Sequence, residues 1–151
     1  MRSGTLWASA GLLVGVGVLA SGCTYTASEE QAITSVAEDL RLADFGGVEC
    51  QSWYRPGLAE VGNPLSLTLA IKDSANLDSV AERLVDLEFE RQISSVEGET
   101  NYTRNDTPKS GDYVAARLIV HGPGETGSDV GVGGGSCGVP SEGMVEIVIF
   151  V

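Results

Sequence analysis

The sequence predicts an α+β fold: a two-layer sandwich in which two helices pack on one face of a mostly antiparallel sheet. Three observations point to it. Apolar residues recur at helical spacing over two segments, one opening at Ser28 and one over residues 77–89. They alternate, or crowd both sides, over residues 65–72, 113–121 and 144–151. The order is helix, strand, helix, strand, strand, with one or two short strands added.

Each element has a local reason. Ser28-Glu29-Glu30-Gln31 fits a capping box, with two acids at the positive end of the helix dipole. Ile33, Val36, Ala37 and Leu40 then fall on one face. Asp44-Phe45-Gly46-Gly47 closes the helix, because glycine takes the left-handed conformation cheaply. Residues 48–54 form a short strand carrying Cys50 and Trp53, and Gly62-Asn63-Pro64 is a turn. Leu65, Leu67, Leu69 and Ile71 alternate with Ser66, Thr68, Ala70 and Lys72, so one strand face is buried.

The second helix, residues 77–89, carries a stripe of Leu77, Val80, Ala81, Leu84 and Leu87, capped by Asn76 or Ser74. Its other face, with Asp78, Glu82, Arg83 and Asp86, reads as solvated. Residues 91–112 are polar, with a short strand expected at 93–96 or 101–104. Residues 113–121 are apolar on both sides, as suits a central strand. Residues 144–151 are too hydrophobic for an open edge, so that strand should be paired and covered. Between them, 8 of the 17 residues from 122 to 138 are glycine, which reads as a long flexible loop.

The chain has 151 residues, which suits one domain, and 42% hydrophobic with 20% charged residues excludes wholesale disorder. Nine basic residues against 21 acidic ones give a net charge of −12, which argues against a nucleic-acid partner.

The first 23 residues read as an address. Arg2 is followed by the apolar run LWASAGLLVGVGVLA, 15 residues long and shorter than the ~20 that span a bilayer. Ala20-Ser21-Gly22-Cys23 comes next. This resembles the lipobox of bacterial lipoprotein signal peptides, with Ala20 where leucine is most usual. The resemblance implies cleavage after Gly22 and a diacylglycerol on the Cys23 thiol. Residues 1–22 would be the signal peptide, 23–27 a lipidated tether and 28–151 the domain. The expected location is the extracytoplasmic face of a cell membrane, with palmitate-type chains as the anchor.

Exported cysteines usually pair, so Cys50 and Cys137 are expected to form a disulfide across 86 intervening residues. A zinc site is not expected, since His121 is the single histidine.

Other motifs have bland readings. Gly122-Pro123-Gly124-Glu125-Thr126-Gly127 matches G-x-G-x-x-G, but the helix that a dinucleotide site needs does not follow. No cofactor is expected. His121 is a candidate base, yet no G-x-S-x-G elbow accompanies it and it sits at a strand end. Calcium oxygens could come from Asn105-Asp106 with Asp112, or Asp73 with Asp78, without EF-hand spacing. Trp53-Tyr54-Arg55 has the composition of a binding hot spot, against the preferred reading that Trp53 packs on the Cys50 region.

The expectation is therefore a membrane-anchored lipoprotein with a non-catalytic module that binds an envelope protein or a small ligand. The alternatives are a small envelope hydrolase using His121, or an acidic cation- or solute-binding lipoprotein.

Overall fold

The structure, a computed structural model, describes residues 26–57, 59–60, 62–105, 113–123, 130–132 and 135–151; for 105, 130–132 and 135–137 only the backbone is described. The segment expected to be a signal peptide, Cys23, and most of the expected tether lie outside these residues.

Helix α1, Ala27–Asp39, starts ahead of the expected Ser28. Thr26 is the cap: its hydroxyl accepts from the Glu29 backbone N–H at 3.3 Å, and the Glu29 carboxylate accepts from the Thr26 N–H. Two overlapping boxes, T-x-x-E and S-x-x-Q, competed, and the earlier one adds two helical residues at no loss of cap. The helix buries Ile33 and Val36, then Leu40. It stops before the glycines, where Arg41 turns left-handed (φ 50°) into a one-turn 3₁₀ helix, Leu42–Phe45. Gly46 and Gly47, at φ 94° and 90°, turn the chain into the sheet.

Strand β1, Val48–Tyr54, forms an antiparallel hairpin with β2, Ser66–Lys72. A 3₁₀ turn, Ser74–Asn76, leads into α2, Leu77–Asp86. The expected side-chain cap is absent: the Asn76 amide donates to the carbonyls of Lys72 and Phe45, and the Ser74 hydroxyl to that of Glu142. Asp73 instead accepts from the Ala75 N–H and caps the 3₁₀ turn. Helix α2 stops at Asp86, short of residue 89, because Glu88 adopts φ 65° and Phe89 turns into the core.

The polar stretch holds two strands, β3 (Glu90–Gln92) and β4 (Glu99–Asn105). Strand β5, Tyr113–His121, has the expected bounds, and β8, Met144–Phe150, ends one residue early. The glycine-rich segment is not wholly loop: β6, Val130–Val132, pairs with β7, Gly135–Cys137. Residues 124–129, which hold most of the G-x-G-x-x-G match, lie outside the described residues.

Six strands form one sheet in the order β1-β2-β8-β5-β4-β3, every neighbouring pair antiparallel. The fold is α+β. Register explains the core: Leu67, Ile149, Ala116 and Tyr102 lie side by side, as do Leu69, Ile147 and Leu118. Both rows belong to one apolar cluster with Ile33, Val36, Val80 and Leu84, so both helices cover the same face. Strands β8 and β5 are interior, as their apolar content required. The opposite face has a smaller cluster, Ala70 and Met144 with Cys50 and Val139.

Candidate ligand groove beside Trp53

Period two decides what Trp53-Tyr54-Arg55 does. Trp53 pairs with Leu67 and faces the helices; Tyr54 pairs with Ser66 and faces the other way. The tyrosine hydroxyl accepts from the Asn63 amide at 3.1 Å. The Arg55 guanidinium lies 4.8 Å from the Trp53 ring centroid and donates to Glu30 at 2.7 Å, tying the end of β1 to the first turn of α1. The three residues therefore do not form one site. Nor does Trp53 pack on the Cys50 region, since residues 50 and 53 are on opposite faces; it packs half-buried against the main core.

Trp53 instead lines a groove of about 450 Å³ between α1, the 3₁₀ turn and the β1–β2 hairpin. Leu67 and Leu69 line it from β2, Leu42 and Ala43 from the turn, and Thr34, Ala37 and Glu38 from α1. Gly47, Val48 and Gln51 complete it along β1. The volume falls in the range of small-molecule sites, and few polar groups interrupt the apolar lining. It exists because β1 is the outermost strand on this side, so α1 roofs the sheet without sealing it.

A second depression, about 480 Å³, lies between α2 and the β3–β4 hairpin. Asp78, Glu82, Asp86 and Arg91 dominate its walls. Burial and the nearby Asp78 push the Tyr102 phenol up from its ordinary pKa, with Arg91 opposing them. Asp78, Glu82 and Asp86 are the solvated face of α2, and Arg91 faces them from β3.

His121 is half-buried on the sheet face away from the helices. Its Nε2 lies 3.0 Å from Glu146 Oε2, and both side chains are largely covered. The pair is a base with an orienting acid, the arrangement a hydrolase would use. Beside it on the same face, Arg117 Nε donates to Asn101 Oδ1 at 3.1 Å and lies 3.7 Å from Glu99.

Among the described residues, no group of three or more His, Cys, Asp or Glu side chains could hold a metal. Asp73 serves the 3₁₀ cap rather than meeting Asp78 at a cation. Asp106 and Asp112 lie outside the described residues. Cys50 is half-buried and is not a free thiol. Among the described residues, no helix is long and apolar enough to cross a membrane.

No protein-family model matches the chain, and neither a curated protein nor a solved structure matches it.

Sequence reasoning missed Glu38 and Gln51. Gln51 had a usable signal: it stands two residues before Trp53 and so shares its face. Glu38 had none, being one exposed acid among the 21 acidic residues of the chain.

Proposed function

We propose that the chain is an exported lipoprotein, anchored through Cys23, whose domain is a non-catalytic binding module with the Trp53 groove as its ligand seat. One observation carries the binding role: a groove of ligand size, floored by Trp53, Leu67 and Leu69, held open at the edge of a rigid sheet. Preformed apolar concavities of this size are the usual seats of small ligands. The anchor rests on the sequence from Arg2 to Cys23. With Thr26 as the helix cap, Thr24 and Tyr25 alone separate Cys23 from the folded domain. Extended, they reach only ~7 Å, so the domain would rest against the membrane.

A disulfide between Cys50 and Cys137 belongs to the same proposal. Its support is that β6, the partner strand of β7, lies against β1, which places the backbone of Cys137 near the strand carrying Cys50. The loop it closes would stabilise the domain by ~4–5 kcal/mol in the chain-entropy account.

Mass spectrometry of the protein from its native membrane tests the anchor. The expected species starts at a diacylated Cys23; a product retaining Met1, or bearing an unmodified Cys23, refutes it. Binding is tested by titrating amphiphiles of graded chain length against Trp53 fluorescence. Saturable quenching that tightens with each added methylene supports the groove, and unsaturable quenching refutes it.

The His121–Glu146 pair supports a second reading, a small hydrolase. Its test is turnover of ester, amide and glycoside substrates by the intact chain. Activity that is lost in His121→Ala establishes it, and a flat response with every substrate removes it.

A further inference from the structure

This inference rests on the ligand-binding reading and adds the ligand's charge. Of the groove's described lining residues, Glu38 is the only one that ionises. Two other acids, one on α1 and one in the 3₁₀ turn, are matched: Glu30 pairs with Arg55 at 2.7 Å, and Asp44 with Arg41 and Arg83, each at 3.5 Å. Among the described residues, the Glu38 carboxylate has neither an ion pair nor a hydrogen bond. Across from it on β1, the Gln51 carboxamide is likewise without a partner among the described residues. The one wide aromatic surface, Trp53, already carries a cation, since Arg55 stacks on it at 4.8 Å.

We propose that the groove takes a hydrophobic cation, an amine or quaternary ammonium on an apolar body. The body lies on Leu42, Leu67 and Leu69, and the cationic head meets Glu38 with Gln51 beside it. An anionic amphiphile of equal length is disfavoured twice, by Glu38 locally and by the chain's net charge of −12. A neutral one gains the apolar contact and nothing from the carboxylate.

The test uses the full chain carrying Trp7→Phe, which leaves Trp53 as its sole tryptophan. Three probes of one chain length are titrated below their micelle concentrations: octylammonium, octan-1-ol and octanoate. Octylammonium should bind about fivefold tighter than octanol, the upper range for a solvent-exposed charge pair, and octanoate weakest of all. The preference should shrink with added salt. Glu38→Gln should remove it, bringing ammonium and alcohol to about equal affinity.

Equal affinities of ammonium and alcohol in the Glu38 protein overturn the charge assignment and leave the groove standing as an apolar site. Failure of all three probes to perturb Trp53 overturns both. A fluorescence change that follows protein concentration rather than probe would seat a second copy in the groove and overturn the small-cation proposal.

Discussion

Gly143 stands at the junction of three segments, and replacing it with alanine should be among the most damaging single-methyl changes in the domain. A Cβ there would lie 2.4 Å from the His121 carbonyl oxygen and 2.9 Å from Ser74 Oγ. Carbon and oxygen in contact sit ~3.3 Å or more apart, so the backbone of β5 or β8 must move by about 1 Å. Gly143 also accepts from the Asp73 N–H at 3.1 Å and donates to the Pro140 carbonyl at 2.9 Å, both of which that shift strains. Its φ of 80° adds a left-handed cost of ~1 kcal/mol for any residue with a Cβ. With up to ~1 kcal/mol for each weakened hydrogen bond, the total comes to about 3 kcal/mol. Gly98 is a matched control: its φ is 79°, and a Cβ built on it meets nothing within 4 Å. Gly98→Ala should therefore cost only ~1 kcal/mol. Urea unfolding followed by Trp53 emission would give both values with an unchanged m-value, and Gly143→Ala should lower Tm by roughly 12 °C. Equal losses in the two variants would refute the contact argument.

Three further predictions follow from packing and charge. Ile147 is fully buried at the centre of the sheet, so Ile147→Ala should cost about 2–5 kcal/mol by chemical denaturation, and Ile147→Val about 0.5–1.5. Hydrogen bonds from the Lys72 ammonium and the Ser141 hydroxyl hold the Glu142 carboxyl at about 2. A depressed folded pKa contributes stability above the unfolded value, lost as pH falls from about 4.5 towards 2; carboxyl NMR should show Glu142 titrating near 2, and Lys72→Met should return it towards the ordinary range. His121→Ala leaves Glu146 covered without its partner at 3.0 Å, which should cost about 1–3 kcal/mol, whereas Glu146→Gln keeps a hydrogen-bonding side chain and should cost less in the same unfolding assay.

Strong periodicity was legible in the sequence and weak periodicity was not. Leu67, Leu69 and Ile71 alternate because one face of β2 meets the helices and the other does not, and the apolar spacing of Val80 and Leu84 marks the stripe of α2 in the same way. Strand β4 was read only as one of two short alternatives, at 101–104, because Glu99–Asn105 offers the core chiefly Tyr102, and its neighbour β3 went unread because it is exposed along its whole length. No alternation exists to be read where an edge hairpin buries so little. The end of α2 was misplaced for a different reason: its left-handed residue is Glu88 rather than a glycine, so no stop signal was written. The splitting of Tyr54 from Trp53 and Arg55 was legible in principle, since successive strand residues face opposite ways, but composition drew attention to the triplet as a unit. Of the groove, Trp53 could be picked out by residue type. Glu38 could not, because its importance comes from the two arginines that settle on Asp44 and the one that settles on Glu30, all of which pass it by.

The position of β8 has a consequence for assembly. It comes last among the elements yet lies between β2 and β5, bonded to both along its whole length. Without it, the sheet is two fragments: a β1–β2 hairpin, and a β3–β4–β5 meander joined to it by α2 alone. Neither fragment has a partner for its inner rim, and the helices have no continuous floor. A chain whose Met144 to Phe150 segment is not yet in place has no strand to join the two fragments, so the sheet and the core beneath both helices close only when β8 docks.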